Sequence, residues 1–319
     1  MGGNGTEFYG PGIGYYEELS PFILVMGETG AGKSTFIKTL APDSAVHIEH
    51  TLSPGTSTST VVPVKIGPLS VNLVDTPGFN DLERSDGDIL LDISKCLITL
   101  SLAGGELKGI IYLHNLAMPR FSGTCSEHIE MLRRICGPRG IGNLFLISSN
   151  WNDQDERSCI VRENSLQTEH WRDLIRDGAT FTRFRNSRDS AEAIVCQCAY
   201  KDPVVFELQR EISEDRVLLE RTSAGLYARD RRLQRHVELG RIQTGGTQDS
   251  RGHIEKSIEV ARADEQKLRV DVLKETGSRF KKFMRSKGNL TLIQIIVSLT
   301  GIGLTLTSII TGAPVFSFS

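Results

Sequence analysis

The residues with the clearest chemistry form the segment 27–34, Gly-Glu-Thr-Gly-Ala-Gly-Lys-Ser, which follows the apolar stretch Phe22–Met26. The segment fills every fixed position of the phosphate-binding pattern GxxxxGK[ST]. Glycines let the backbone curl so that successive N–H groups point at phosphate oxygens, and the helix that follows adds its positive end. Lys33 can then reach the β- and γ-phosphates, and the Ser34 hydroxyl can ligate Mg²⁺. The sequence therefore predicts a nucleoside triphosphate site with contacts from Gly27, Glu28, Thr29, Gly30, Ala31, Gly32, Lys33, Ser34 and Thr35.

A second polar cluster, Asp-Thr-Pro-Gly at positions 75–78, follows the apolar stretch Val71–Val74. A carboxylate at the end of a strand beside the phosphate loop can hold Mg²⁺ through water. Asp75 therefore joins Ser34 as a predicted metal residue. The backbone N–H of Gly78 is predicted to sense the γ-phosphate.

A polar loop between these two clusters, residues 53–58, reads Ser-Pro-Gly-Thr-Ser-Thr. One of its threonines is expected to ligate Mg²⁺ when a triphosphate is bound. Thr56 is the first choice and Thr58 the second. The alternative is an inert linker that is merely rich in Ser and Thr.

The elements that must position these motifs are short apolar stretches, often β-branched and bounded by turn residues. Helical patterns separate several of them, as in Ile89–Leu102 and Glu127–Ile135. Strands that alternate with helices predict an α/β sheet covered on both faces, with ligands at the carboxyl ends of the strands. The predicted strands are Phe22–Met26, Val61–Ile66, Val71–Val74, Ile110–Leu113, Leu144–Ile147 and Thr180–Phe184.

Three motifs taken together, GETGAGKST, SPGTSTST and DTPGFND, resemble those of GTP-binding domains of the translation-factor-related class. Within that class the chain is most similar to the septin and immune-associated GTPase branch and to related fungal G-domain proteins. The resemblance covers about residues 20 to 200, and the predicted G domain is residues 21–202. It implies a Ras-like P-loop NTPase fold, a three-layer sandwich, with GTP or GDP and Mg²⁺ as ligands. It also implies a nucleotide switch and, often, a homodimer formed across the nucleotide face.

The segment that should read the base departs from the pattern of this class, which is Asn-Lys-x-Asp with an Asp that accepts two hydrogen bonds from guanine. This chain has Asn150, Trp151, Asn152 and Asp153, so that Trp replaces Lys. A flat indole could lie over the base in place of the lysine stem, since stacking supplies about 1–3 kcal/mol. Asn150 and Asp153 are the favoured base contacts. A frame one residue shorter would offer Asn152, whose amide would weaken guanine selectivity.

Other polar residues are weaker candidates for the site. Asn186 and Ser187 follow the last predicted strand, and Asn186 is expected to make the final base contact. His47 and His50 precede the Thr-rich loop and are interpreted as solvent-facing, with the cover of a base in a neighbouring subunit as the alternative. His114 is interpreted as a satisfied core or strand-end residue.

Hydrolysis in this class commonly depends on a Gln that orients the attacking water. The residue after Gly78 is Phe79, which has no polar group for that task. The isolated domain is therefore predicted to hydrolyse GTP slowly and to need a partner or a second copy for faster turnover. Asn80 and Asp81 are alternative water-orienting residues, or they form a turn or a helix cap. Glu28 is expected to point to solvent or across a dimer interface.

The segments on either side of the G domain have different textures. Residues 1–20 form a glycine-rich arm that begins with a formal myristoylation pattern at Gly2. Residues 203–287 are predicted to form a helical hairpin or partial coiled coil. Two helices packed back on the sheet are the equal alternative. The heptad stripe consists of Ile212, Leu219, Leu226 and Leu233.

The last segment, residues 288–319, carries no charged residue. As a helix, its stretch 290–313 would span about 36 Å, enough to cross a hydrocarbon core. A membrane anchor is favoured over a buried or interfacial helix, although Ser, Thr and Gly dilute the segment. The basic residues just before it would keep the preceding domain cytoplasmic. They are Lys281, Lys282, Arg285 and Lys287.

Composition excludes several classes of protein. The chain has 319 residues, 39% of them hydrophobic, and a net charge of −2. This length allows a large core, and the near-neutral charge argues against a protein that coats nucleic acid. Cys196 and Cys198 lack the spacing of a metal site, and scattered thiols fit a reducing compartment such as the cytoplasm.

These observations favour a slow, Mg²⁺-dependent GTPase that acts as a dimerisation or conformational switch at a cytoplasmic membrane surface. A non-hydrolysing scaffold that uses bound nucleotide as structural glue is the main alternative, and Phe79 and the irregular base-reading segment favour it. An ATPase is a third possibility, which the DTPG motif and the spacing to Asn150 disfavour.

Overall fold

A mixed sheet of six strands lies at the centre of the protein. The computed structural model describes residues 20–42, 60–79, 85–117, 121, 123–151, 156–231, 234, 266 and 268–286. The strands are β1 (Phe22–Gly27), β2 (Thr60–Ile66), β3 (Leu69–Asp75), β4 (Leu107–Asn115), β5 (Leu144–Ser149) and β6 (Thr180–Arg183). Their order is β2-β3-β1-β4-β5-β6, with β2 antiparallel to β3 and every other pair parallel. This is the predicted Ras-like α/β fold.

Helices cover both faces of this sheet and complete a three-layer sandwich. One face packs against α1 and α6, and the other packs against α2, α3 and the shorter helices that follow β5. The helices are α1 (Lys33–Leu40), α2 (Asp86–Leu102), α3 (Gly123–Gly140, interrupted at Gly137), α4 (Glu156–Ser165), α5 (Arg172–Arg176) and α6 (Arg188–Ala199). After them come α7 (Glu207–Ser213), α8 (223–231) and α9 (Val272–Ser286).

The two cores arise from the alternation of side chains along each strand. In β1, Phe22, Leu24 and Met26 belong to the core under α2 and α3, whereas Ile23 and Val25 belong to the core under α1 and α6. A strand that is apolar on both faces must be covered on both, which is why β1 lies in the middle of the sheet. Its carboxyl end therefore lies between those of β3 and β4.

The chain after the sheet packs against α2 and α3. Ile212 and Leu219 are buried there, in the same core as α2 and α3. Because α7 ends at Ser213 and Arg216 has a φ of 58°, the heptad positions do not lie on one helix. Ile212 and Leu219 therefore do not lie on one helix as a coiled-coil seam would require, and Leu233 lies outside the described residues. The turn of the predicted hairpin lies outside the described residues, so the hairpin stays a prediction.

None of the helices in the described ranges is long and apolar enough to cross a membrane. The predicted span 290–313 lies outside those ranges, as does the glycine-rich arm up to residue 19.

Candidate nucleotide-binding site

The phosphate loop connects the end of β1 to the start of α1. Gly30 and Gly32 have φ values of 79° and 89°, in the left-handed region that glycine adopts without strain. Gly32 is also the N-cap of α1, so the loop leads directly into the positive end of that helix. This is the backbone arrangement that binds phosphate, and it is where the sequence predicted it.

Polar residues at the ends of β4 and β5 donate hydrogen bonds to the backbone of the phosphate loop. The Asn115 amide donates to the carbonyl oxygen of Gly30 at 3.3 Å, and the Asn150 amide approaches the same oxygen at 3.5 Å. The Ser149 hydroxyl lies 2.8 Å from the carbonyl oxygen of Ala31 and is buried. Sequence reasoning missed Asn115 and Ser149 as supports. Their signal was a polar residue that closes an otherwise apolar strand.

The predicted phosphate and metal side chains lie together at the loop. The Lys33 ammonium donates to the carbonyl oxygens of Gly27 (3.1 Å) and Glu28 (2.9 Å), so its side chain folds back along the loop. The Ser34 hydroxyl lies 3.5 Å from a carboxylate oxygen of Asp75, which is fully buried at the end of β3. A hydroxyl and a carboxylate beside a phosphate loop are the oxygen donors that Mg²⁺ prefers. The residues present therefore fit a nucleotide with its metal ion.

The segment after Asp75 is bonded to the phosphate loop through its backbone. The N–H of Thr29 donates to the carbonyl oxygen of Phe79, and the N–H of Phe79 donates to that of Gly27, both at 3.1 Å. A Cβ on Gly78 would lie 2.6 Å from the Thr29 hydroxyl and 2.7 Å from its backbone nitrogen. Only glycine allows this approach, so Gly78 lies beside the loop where it was predicted.

Glu28 corrects one expectation, because its side chain points to neither solvent nor a dimer interface. It is 5% exposed, and a carboxylate oxygen lies 2.9 Å from Nδ1 of His128 on α3. Burial alone would raise the pKa of Glu28, but hydrogen bonds with His128 and Cys125 outweigh burial and hold the pKa below its ordinary value. Glu28 thus anchors the phosphate loop to α3.

Phe79 packs into the same cluster. Its ring stacks on that of His128 with centroids 4.9 Å apart and is 1% exposed. His128 thereby contacts one residue from the phosphate loop and one from the segment after Asp75. With its side chain buried and apolar, Phe79 has no means of orienting a water molecule, as the sequence predicted.

His114 lies near Glu28, behind the phosphate loop. Burial lowers the pKa of His114 to about 4, although the Glu28 carboxylate pulls in the opposite direction. Its ring contacts Phe121 and Trp171. The residue is in the core as predicted, but among the described residues no hydrogen-bond partner meets its buried Nδ1. It is therefore a neutral, incompletely satisfied core histidine.

On the base side, Asn150 and Trp151 directly follow β5. Asn150 has a φ of 60°, which asparagine tolerates better than most residues. Trp151 is 6% exposed, and its indole N–H donates to the hydroxyl of Ser148 at 3.1 Å. The expectation that the indole lies over the base is wrong, because the ring is turned into the core.

The remaining predicted base and metal contacts divide into two groups. Asn186 is exposed in the loop after β6, at the same edge of the sheet, with a φ of 51°. Ser187 caps α6 by accepting a hydrogen bond from the N–H of Ser190. Thr56, Asp153 and the alternatives Thr58, Asn152, Asn80 and Asp81 lie outside the described residues, as do His47 and His50.

The chain is similar in sequence to one family of GTPases and to parts of two known proteins. The family model for the RsgA GTPase matches residues 17–85. The small ribosomal subunit biogenesis GTPase RsgA of Streptococcus mutans is 37% identical over 84 residues, 22% of this chain and 29% of that protein. Cell division control protein 11 of Saccharomyces cerevisiae is 26% identical over 139 residues, 35% of this chain and 33% of that protein. The chain thus matches a third or less of the length of these relatives.

Solved structures with a similar course of the chain include Toc33 from Arabidopsis thaliana in complex with GDP and Mg²⁺. It is 16% identical, the match covers 59% of this chain and 89% of Toc33, and the TM-score is 0.47. Era of Aquifex aeolicus bound to GDP and AlF₄⁻ is 12% identical, with 59% and 58% of the two chains covered and a TM-score of 0.42. Similarity at this level says nothing about the ligands or partners of this chain.

Features of the chain itself and the family match point to the same class of domain. The phosphate loop joins β1 to α1, Asp75 ends the neighbouring strand, and the strand order is Ras-like. The family match covers these same motifs. The chain therefore carries a P-loop GTPase G domain, the class of domain that binds GTP or GDP with Mg²⁺.

Proposed function

We propose that this protein is a slow GTPase switch that acts at a cytoplasmic membrane surface. The observation that carries the proposal is the phosphate loop with Ser34 and Asp75 beside it. In this proposal Lys33 neutralises the β- and γ-phosphates, while Ser34, Asp75 and Thr56 hold Mg²⁺. The proposed base contacts are Asn150, Asp153 and Asn186, and the proposed γ-phosphate sensor is the N–H of Gly78.

Slow hydrolysis follows from the chemistry at Phe79. A buried phenyl ring cannot orient water, so positioning and charge neutralisation by the loop would be the main contributions to the rate. A second copy of the chain, docked through the nucleotide face, is the proposed source of the missing group. Glu28 is bonded to His128 inside the domain, so the partner would be met by other residues.

Contacts of Phe79 and His128 support the proposal that a change of nucleotide state is transmitted to the C-terminal segment. The two rings border a small gap that is also lined by Tyr227, Ala228 and Arg231 of α8. Arg231 forms an ion pair with Glu127 of α3, next to His128. A shift of Phe79 between nucleotide states would therefore change the packing against α8.

Several finer expectations belong to this proposal. Three of them rest on the sequence alone. They are membership of the septin and immune-associated branch, membrane attachment through residues 290–313, and the absence of a nucleic-acid partner. The non-hydrolysing scaffold remains the second candidate, and buried Phe79 is the observation that favours it.

Turnover measured against protein concentration tests the proposal. We expect the 319-residue chain to release phosphate from GTP slowly when dilute and faster per protomer as concentration rises. Lys33→Ala in the same assay controls for contaminating activity. Fast turnover that does not depend on concentration would contradict the slow switch. GTP binding without turnover at any concentration would favour the scaffold.

A further inference from the structure

One buried carboxylate is bonded to both strands whose loops are predicted to meet the base. Glu163 on α4 is fully buried. The hydroxyl of Ser148, on β5, donates to one of its oxygens at 2.8 Å. Arg183, at the end of β6, donates to the same oxygen through Nε at 2.9 Å and to the other oxygen through a second N–H. The end of β5 and the end of β6 are therefore joined through Glu163.

Trp151 is held by the same group of residues. Its indole N–H donates to the Ser148 hydroxyl, which in turn donates to Glu163. The Arg183 guanidinium lies over the indole ring, 4.4 Å from its centroid. The residue that replaces the usual lysine is thus fixed at its edge and on its face by two groups that both bind Glu163.

A carboxylate at this position does something that an apolar side chain could not. Burying a charge is costly, and a well-packed apolar residue often stabilises such a position equally well. A carboxylate, however, accepts two parallel bonds from a guanidinium with defined geometry. β5 and β6 pair directly through their backbones up to Ser148 and Arg183. The two-point contact fixes the Arg183 side chain at the end of that pairing, and the Ser148 bond sets the orientation of Trp151.

We infer that Glu163 is a positioning residue for guanine recognition. It fixes Trp151, which lies between the predicted base contacts Asn150 and Asp153. It also holds the side chain of Arg183, the last residue of β6, three positions before Asn186. Glu163 contacts no base itself. The inference rests on the proposed binding of guanine nucleotides.

A comparison of GTP with ITP isolates base reading from phosphate binding. ITP differs from GTP only in lacking the 2-amino group of the base. One charge-assisted hydrogen bond from that group would make GTP bind about 10- to 100-fold more tightly than ITP. Misplacement of the base loops lowers this ratio. Partial unfolding reduces the binding of both nucleotides equally and leaves the ratio unchanged.

The variant Glu163→Gln keeps the shape of the side chain and places an N–H group against an N–H group of Arg183. We expect its GTP-to-ITP affinity ratio, measured by calorimetry with Mg²⁺ on the full chain, to fall to less than about 5-fold. Glu207→Gln is the matched control, since Glu207 also forms a two-point pair with an arginine, Arg210, but on α7. Its ratio should equal that of the wild type.

Trp151→Phe tests the same inference without touching the ion pair. The variant removes the indole N–H and should also lower the ratio, by less than Glu163→Gln does. Wild-type ratios in both Glu163→Gln and Trp151→Phe would overturn the inference while leaving GTP binding intact. A wild-type protein that binds GTP and ITP equally would overturn it as well. Absence of any nucleotide binding by the wild type would instead refute the proposed function.

Discussion

The phosphate side and the base side of the site each contain one side chain that the fold turns inward. On the phosphate side it is Glu28, which binds His128 of α3. On the base side it is Trp151, which binds Ser148 and, through it, Glu163 of α4. In each case a loop at the carboxyl end of a strand is anchored to the helix layer behind it.

The two sides differ in which groups recognise the ligand. On the phosphate side the recognition groups are mostly backbone N–H groups, whose direction is set by glycine conformations at Gly30 and Gly32. On the base side the predicted recognition groups are the side chains of Asn150 and Asp153. They can be directed at the base only if the loop that carries them is held in place. Loss of the Glu28 anchor should therefore cost stability, whereas loss of the Glu163 anchor should cost selectivity.

The largest expected effect is that of Lys33→Ala on the phosphate side. Removal of charge-assisted bonds to the phosphates should weaken GTP binding by about 3 kcal/mol, or about 100-fold. Calorimetry on the full chain measures this change. Lys38→Ala, in the last turn of the same helix, is the control and should bind GTP like the wild type. Equal affinities of the two variants would show that phosphate recognition does not depend on Lys33.

The pH dependence of unfolding tests the buried cluster behind the phosphate loop. His114 has a pKa of about 4 in the folded protein, below its ordinary value of 6.5. Between these two pH values its imidazole is therefore protonated in the unfolded chain and neutral in the folded protein. Its contribution to stability is complete above pH 6.5 and is lost as the pH falls towards 4. Between these values the free energy of unfolding should drop by about 3 kcal/mol because of this group.

Urea unfolding of wild type and His114→Asn at pH 7 and pH 4 isolates that contribution. The charged groups that act on His114 are Glu28, which favours its protonation, and His170 and His128, which oppose it. We expect the wild type to lose more stability than the variant over this interval. Equal losses in the two proteins would contradict a neutral, buried His114.

Glu28→Ala separates anchoring from recognition. The change leaves the buried His128 without its carboxylate partner, which should lower the free energy of unfolding by about 2 kcal/mol. Because GTP and ITP carry the same phosphates and differ only in the base, the GTP-to-ITP ratio should stay at the wild-type value. Glu106→Ala, which removes the exposed member of an ion pair with Lys108, is the control for stability. A GTP-to-ITP ratio near 1 in Glu28→Ala would contradict the distinction between the phosphate side and the base side.

The smallest expected effect is that of Ser149→Ala. The variant loses a hydrogen bond to the carbonyl oxygen of Ala31 and should weaken GTP and ITP binding equally, by about 1 kcal/mol. Ser213→Ala removes a serine-to-backbone bond on α7, remote from the site, and serves as the control. An unchanged affinity in Ser149→Ala would mean that the other contacts of the loop, such as those of Asn115 and Glu28, hold it without this hydrogen bond.

Apolar periodicity and the glycine pattern were sufficient to predict the strands and the phosphate loop. Each depends on local rules, namely two-sided burial of a strand and the backbone freedom of glycine. The directions of Glu28 and Trp151 depend instead on partners from other elements. His128 lies 100 positions from Glu28, and a loop carries no periodicity from which the side of a residue can be inferred.

The heptad stripe illustrates a related point. Apolar residues every seven positions report that side chains are buried, but not what buries them. Ile212 and Leu219 fit the period, yet the helix ends at Ser213 and the backbone turns at Arg216 between them. Both residues pack in the core with α2 and α3. Repeats sustained over more heptads are needed before a period indicates a coiled coil.

Selective nucleotide binding is the most direct test of the account as a whole. We would titrate the 319-residue chain with GDP, GTP, ADP and ATP in the presence of Mg²⁺ and follow the heat of binding. The account predicts that the two guanine nucleotides bind and that the two adenine nucleotides do not compete with them. Equal binding of guanine and adenine nucleotides, or no binding of either, would contradict it.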